Sequence, residues 1–96
     1  MSDICSAIDN LQLVSFSYHG YPRVVEPHTF GVDSRDHYAL RAYQVRGGSR
    51  SGRVPDWRFF HSAEMFSVTV LSESFSGARL GYKKDDKAFA TIRCQL

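Results

Sequence analysis

Arginines are concentrated in the middle of the chain, where they could form a binding surface for an anion. Between residues 35 and 58 there are six arginines and only two acidic residues, Asp36 and Asp56. An arginine carries a planar fork of donors that can pair in a bidentate way with a phosphate or a carboxylate, and a tyrosine ring adds a flat face for stacking a base. The ligand-binding residues predicted on this basis are Tyr18, Arg23, Arg41, Tyr43 and Arg58.

The same residues also have a simpler interpretation. Arg23 and Arg41 could be solvated strand residues, and the tyrosines could pack against the protein with their hydroxyls exposed. The glycine-rich segment 46–53 leaves a similar choice. Its three arginines could attract a nucleic acid by neutralising phosphates, or they could only keep a hairpin tip soluble. These predicted nucleic-acid-binding residues are Arg46, Arg50 and Arg53.

Other chemistries have weaker support in the sequence. The four histidines are scattered without the spacing of a metal motif, and neither a nucleophile elbow nor a glycine-rich phosphate loop occurs. Asp85 and Asp86 are adjacent and flanked by lysines, which suits a solvated turn better than a pair of catalytic carboxylates. We therefore expect no enzyme, no metal site and no cofactor.

Composition and cysteine usage indicate one domain, residues 1–96, of ordinary soluble type. The pI near 8.7 is below the value of about 9 that marks an overtly basic nucleic-acid domain. Cys5 and Cys94 lie at opposite ends of the chain, so we expect reduced thiols and a chain that stays folded in reductant or chelator. With no apolar run of about 20 residues and no signal-peptide pattern, a cytoplasmic location without a membrane partner is predicted.

The periodicity of apolar residues changes early in the chain. Helical spacing predicts a short amphipathic helix near residues 3–11, on the apolar positions Ile4, Ala7, Ile8 and Leu11. Val14, Phe16 and Tyr18 then alternate with polar residues, as in a strand with one buried face. Further strands are predicted over residues 21–30, 37–45, 57–60, 66–71 and 88–94. A short helix followed by a small β-sandwich or β-barrel is expected.

Two features of these predicted strands limit the interpretation. Pro22 and Pro27 favour strand ends or a sheet edge, because proline cannot donate to a strand ladder. In residues 57–60, Arg58 and Phe60 belong to one strand face and their neighbours to the other. The period alone leaves open which face is buried.

The order of several short elements resembles the WYL domain over about residues 4–75. These elements are the helix, Phe16-Ser17-Tyr18, Gly20, residues 23–27, residues 38–43, Arg58-Phe59-Phe60, Met65 and Ser67-Val68. The resemblance implies a mainly β fold in which a short N-terminal helix precedes an Sm-like, SH3-like barrel of about five strands. The last predicted strand would be a C-terminal extension of that barrel.

The resemblance also implies a function. WYL domains are regarded as ligand sensors, with nucleotides or nucleic acid as proposed ligands, and are usually joined to a DNA-binding domain in bacterial transcription regulators. Tyr38-Ala39-Leu40 stands at the family's Trp-Tyr-Leu signature, and two of the three residues differ. The family's Arg-x-Phe element is retained at residues 58–60. This element adds Phe60 to the predicted ligand site. Glu64 stands where many members have an arginine, which removes a cation from the implied pocket. Arg41 and Arg58 both fall in the family-like strand elements, so they are expected to converge on one anion-binding surface.

Two functions from different classes follow from the sequence. The first is a regulatory module that binds a nucleotide or single-stranded nucleic acid and acts on a partner protein, since no helix-turn-helix pattern is present. The second is a protein-interaction module, an inhibitor or scaffold from a mobile element or a phage-defence system, with no small ligand. A homodimer is compatible with both.

Overall fold

The computed structural model describes residues 2–96; Met1, which the predicted domain 1–96 includes, lies outside the described residues. The elements in chain order are α1 (Ser2–Asp9), β1 (Gln12–Tyr18), β2 (Tyr21–Asp33), β3 (Tyr38–Gly47), β4 (Asp56–His61), a 3-10 turn (Ser62–Glu64), β5 (Met65–Ser74) and β6 (Phe89–Gln95). The prediction of a mainly β fold with one short N-terminal helix is confirmed. No helix among the described residues is long and apolar enough to cross a bilayer.

All strand pairings are antiparallel, and they form one six-stranded sheet. The strands follow the order β4-β3-β2-β1-β5, and β6 joins the sheet by pairing with β2. Within residues 2–96, β4 and β5 form the two ends of this path and do not pair with each other, so the sheet is not closed. The structure therefore shows the antiparallel sheet but no closed barrel.

Strand β2 is the centre of the sheet, because it pairs with three other strands. One edge pairs with β3, and the other edge pairs first with β1, up to Val25, and then with β6, from Thr29 onward. Pro27 is fully buried where this second edge changes its partner from β1 to β6. Further along, Gly31 lies so close to β6 that a Cβ atom on it would be 2.2 Å from the carbonyl oxygen of Thr91.

One face of the sheet, the inner face, packs with α1 into a hydrophobic core. Phe16 and Phe60 meet edge to face, with ring centroids 4.8 Å apart, and helix residues Ile4 and Ile8 are buried beside them. Since Phe60 pairs with Leu40 and Arg58 with Ala42, the Arg58–Phe60 side of β4 faces this core. The structure thus settles which face of residues 57–60 is buried.

The opposite face, the outer face, is covered by the segment between β5 and β6, which we call the C-terminal segment (residues 75–88). His28 is fully buried there among aromatic rings, with Trp57 at 4.7 Å and Tyr82 at 5.4 Å between centroids. Its Nδ1 is 2.8 Å from the carbonyl oxygen of Glu26, and its Nε2 is 3.1 Å from the backbone N–H of Arg79. A neutral ring that donates from Nδ1 and accepts at Nε2 satisfies both contacts, and burial lowers the pKa of His28.

The two cysteines form a disulfide, so the expectation of reduced thiols is wrong. Cys5 on α1 and Cys94 on β6 are bonded, with their Cα atoms 5.6 Å apart. Their separation of 89 residues concealed this proximity, which arises because α1 packs beside β6.

Candidate anion-binding site

The predicted ligand-binding residues lie on both faces of the sheet. Tyr18, Arg23, Arg58 and Phe60 are on the inner face, near one another. Arg41 pairs with Phe59 in the β3–β4 ladder, one position away from Arg58, and therefore points to the outer face. The expectation that Arg41 and Arg58 converge on one surface is wrong. Arg58 is paired with Ala42, the neighbour of Arg41, and neighbouring residues of a strand point to opposite faces of the sheet.

Arg23 is the most buried cation of the inner face, with 5% of its surface exposed. Its Nη1 donates to Gln44 Oε1 at 3.2 Å, and its Nη2 donates to the carbonyl oxygen of Tyr18 at 3.1 Å. The guanidinium carbon lies 5.5 Å from the ring centroids of Tyr18 and Tyr21 and 5.7 Å from that of Phe60. Burial, followed by the positive charge of Arg58, lowers the pKa of Arg23.

Arg58 connects the inner face to the arginine loop, by which we mean residues 46–53. Its Nη2 donates to Ser49 Oγ at 3.0 Å, to Ser51 Oγ at 3.4 Å and to the carbonyl oxygen of Arg53. All of these acceptors are neutral. Throughout the described chain, neither Arg58 nor Arg23 forms an ion pair with a carboxylate, and the Nε atom of each is buried without a hydrogen-bond partner.

The three loop arginines differ in their surroundings. Arg46 is already paired with Glu73 through contacts of 2.7 and 3.1 Å, which raise the pKa of Arg46 and lower that of Glu73. Arg50 and Arg53 are exposed, and among residues 2–96 their side chains form no ion pair. The arginine loop therefore carries two exposed arginines, Arg50 and Arg53, that have no ion-pair partner in the described chain.

On the outer face the predicted residues are already partnered. Arg41 Nε donates to Asp86 Oδ2 at 2.9 Å, and the Arg41 guanidinium lies 4.8 Å from the ring centroid of Phe59. The Tyr43 ring is covered by the guanidinium of Arg79 at 4.8 Å. Arg79 itself binds both carboxylate oxygens of Glu26, at 2.7 and 2.9 Å, so an anion would have to displace carboxylates on this face.

Several residues of the inner-face site were missed by the sequence analysis. Tyr21 stacks near Arg23, and the fully buried Gln44 joins Arg23 to the arginine loop by donating to the carbonyl oxygens of Arg46 and Gly48, at 3.1 and 3.0 Å. Gln44 follows Leu40 and Ala42 at intervals of two residues in β3. A polar residue at the third position of an apolar alternation was the signal that could have identified it.

Glu64 lies at the other end of Tyr18, away from the arginine loop. Its Oε1 is 2.7 Å from His19 Nε2, and this hydrogen bond is the main reason that the pKa of Glu64 is lowered. The Tyr18 hydroxyl accepts the backbone N–H of His61 at 3.1 Å, and burial raises the pKa of Tyr18. The Glu64 carboxylate therefore faces histidines and lies away from the arginine loop.

Comparison with known proteins adds no relative to this description. No family model, no curated protein and no solved structure matches the chain. The resemblance to the WYL domain therefore rests on the order of the residues alone.

Proposed function

We propose that the chain is a non-enzymatic module that binds an anionic ligand on the inner face, at the Arg23–Arg58 site, and thereby regulates a partner protein. One observation carries the proposal. The guanidinium groups of Arg23 and Arg58 both lie on the inner face, neither has a carboxylate partner among residues 2–96, and the Nε atom of each is buried without a hydrogen-bond partner. Holding two like charges together in a partly buried site is costly, and an anion between them would offset that cost.

The neutral partners of Arg58 make the site suitable for exchange with a ligand. Hydroxyl and carbonyl oxygens bind a guanidinium less strongly than a phosphate does, because a phosphate carries the opposite charge and can accept two parallel N–H bonds from the planar fork. A phosphate could therefore replace Ser49 and Ser51 at Arg58. Exposed Arg50 and Arg53 would add attraction that is sensitive to salt.

Tyr21 makes a nucleotide or single-stranded nucleic acid the favoured ligand class. Tyr21 is 37% exposed as a residue, and its ring lies beside the Arg23 guanidinium, so it offers a face on which a base can stack. Phosphate oxygens on Arg58 and a base on Tyr21 are the two contacts expected of such a ligand.

The proposal includes a WYL type of fold and a cytoplasmic location. An Sm-like or SH3-like barrel of the WYL type is supported by the helix that precedes the five-strand path β4-β3-β2-β1-β5. A cytoplasmic location also stays a prediction, and the Cys5–Cys94 bond is a feature more common in oxidising compartments.

A second function, a protein-interaction module, is favoured by the outer edges of the sheet. Strands β4 and β5 each have one edge without a strand partner in the described chain, and Phe66 on β5 is 65% exposed. A free edge can pair with a strand of another protein or of a second copy. This function needs no ligand at the arginines.

The experiment begins with a thermal-shift screen against nucleotides, short single-stranded oligonucleotides and inorganic phosphate. A ligand at 100 times its dissociation constant should stabilise the fold by about 2.7 kcal/mol. The best ligand is then titrated at fixed salt into the wild type, Arg58→Ala and Arg41→Ala. Arg41 is the matched control, because it is an arginine of the adjacent ladder position on the outer face.

Arg58→Ala should weaken binding by roughly ten- to a hundredfold, since a hydrogen bond to a charged group contributes about 1.5–3 kcal/mol. Arg58→Lys should also weaken it, because a point charge lacks the bidentate geometry. Arg41→Ala and Lys84→Ala should bind like the wild type. If Arg58→Ala keeps full affinity, or if no ligand in the screen binds, the inner-face site is refuted and the interaction module becomes the better explanation.

A further inference from the structure

A second cluster of polar side chains lies where β2, β3 and β4 end together. Asp33 is the last residue of β2, His61 is the last residue of β4, and His37 stands just ahead of β3. The β3–β4 ladder pairs Ala39 with His61, and a tight turn returns the chain from Asp33 to His37. Asp33 and His37, which are four residues apart, therefore meet the more distant His61 at one corner of the sheet.

The turn holds the Asp33 carboxylate in a fixed orientation. Its Oδ1 accepts the backbone N–H groups of Arg35 and His37, both at 2.9 Å. Its Oδ2 points between two imidazole rings, at 3.6 Å from His37 Nδ1 and 3.5 Å from His61 Nε2. One ligand atom from each of the three residues lies within 4.8 Å of the other two.

These separations are too long for hydrogen bonds, which span about 2.7–3.2 Å. They are close to the spacing of two ligands on one metal ion. With metal–ligand bonds of about 2.0–2.1 Å, the ligand atoms of a tetrahedral site are roughly 3.3 Å apart. To bind one metal ion, only the distance between the imidazole nitrogens of His37 and His61 has to become shorter. The side chain of His37 is 57% exposed, so it can rotate toward His61.

A carboxylate behind His61 is an independent sign of a metal site. His61 directs Nε2 toward Asp33, while its Nδ1 faces Glu64 Oε2 at 3.6 Å. Histidines that bind a metal through one nitrogen usually donate the other N–H to a carboxylate, which fixes the ring and its tautomer. The 3.6 Å gap between His61 Nδ1 and Glu64 Oε2 is longer than a hydrogen bond, so metal binding would have to draw the two groups together to form this contact. Glu64 is in turn held by His19 at 2.7 Å.

We propose that Asp33, His37 and His61 form a binding site for a divalent transition-metal ion such as Zn²⁺, with Glu64 orienting His61. Two imidazoles and one carboxylate suit Zn²⁺, Co²⁺ or Ni²⁺ better than Mg²⁺ or Ca²⁺, which prefer oxygen ligands. Three protein ligands leave a fourth position for water or an external donor. A cavity of about 430 Å³, with His37 and His61 on its wall, gives that donor room to enter.

No metal site was predicted from the sequence, because the four histidines lack the spacing of a metal motif. Asp33 and His37 share one turn, but His61 joins them from the end of β4, so spacing in the sequence could not reveal the complete cluster. The metal site stands apart from the proposed anion site, since none of its three ligands contacts Arg23 or Arg58 through a hydrogen bond in the described chain.

The test uses the full chain and Zn²⁺ alone, titrated by calorimetry at neutral pH in a phosphate-free buffer. One saturable Zn²⁺ per chain is expected. His37→Ala and His61→Ala should each weaken binding by at least about tenfold, the loss that follows even from removing an outer-shell partner. Asp33→Asn should do the same while its amide oxygen still accepts the two backbone N–H groups.

Asp36→Asn is the matched control for Asp33→Asn, because Asp36 is an exposed carboxylate of the same turn outside the three ligands, and it should lose much less affinity. No saturation at millimolar Zn²⁺, or wild-type affinity in His37→Ala, overturns the proposal. If an alanine variant fails to fold, the imidazole resonances of the wild-type chain decide. Zn²⁺-dependent shifts of His37 and His61 support the site, whereas shifts confined to other histidines, or none, overturn it.

Discussion

Reduction of the Cys5–Cys94 disulfide should remove a large part of the stability of this fold. The bond joins residues 89 positions apart, so in the unfolded state it closes nearly the whole described chain into a loop. The chain-entropy relation gives a contribution of about 4–5 kcal/mol for a loop of this length. Domains of this size have a total stability of about 5–15 kcal/mol, so the reduced chain should be marginal.

The assay compares urea unfolding of the oxidised chain, the reduced chain and a Cys5→Ser/Cys94→Ser variant. We expect the urea concentration at the unfolding midpoint to fall strongly, and by the same amount, in the reduced chain and in the serine variant. Adding reductant to the serine variant should change nothing, which separates loss of the bond from side effects of the reagent. Intact mass should also show two hydrogen atoms fewer in the oxidised chain. If the oxidised and reduced chains unfold at the same urea concentration, the argument from the loop is refuted.

Three further predictions concern the core and the buried histidine. Phe60→Ala should destabilise the fold by about 3–5 kcal/mol, since the ring is 1% exposed, and urea unfolding will measure the loss. Gly31→Ala should force β2 away from β6 and cost about 1–3 kcal/mol, so an unchanged melting temperature would contradict the close approach to Thr91. Because the pKa of His28 is lowered in the fold, its contribution should be complete above about pH 6.5 and be lost as the pH falls, by up to about 1.4 kcal/mol per pH unit. His28→Gln should flatten this part of the stability curve, and equal slopes in variant and wild type between about pH 5 and 8 would contradict the assignment.

Much of the fold could be predicted because local periodicity is strong in the first half of the chain. The alternation of Val14, Phe16 and Tyr18 predicted both β1 and its buried face, and all three side chains are buried. The helix was predicted two residues too long, because Leu11 has the apolar character of a helix position but a positive φ of 55° that leads into β1. A single residue's backbone conformation is not visible in a periodic pattern.

Features that depend on distant partners could not be predicted from the sequence. Pro27 was expected at a strand end or a sheet edge, yet it lies within the central strand β2, beside the point where that strand changes partners. The disulfide and the Asp33–His37–His61 cluster likewise depend on contacts between separate elements.

The candidate binding site was predicted in part. Four of the predicted residues lie together on the inner face, but Arg41 and Tyr43 lie on the outer face and are partnered there by Asp86 and Arg79. Both partners belong to the C-terminal segment, whose pattern gave the weakest signal in the sequence. Because the sequence did not show where that segment packs, an outer-face arginine that is already paired could not be distinguished from one that is available to a ligand.

The disulfide has a consequence for proteolysis of the arginine loop. Arg50 and Arg53 are exposed cleavage points for trypsin, and they lie between the two cysteines. A cut there would leave two fragments that remain joined covalently through Cys5 and Cys94. The nicked protein should therefore migrate as one species without reductant and as two with it, while the β2–β3 and β1–β2 pairings persist within the first fragment.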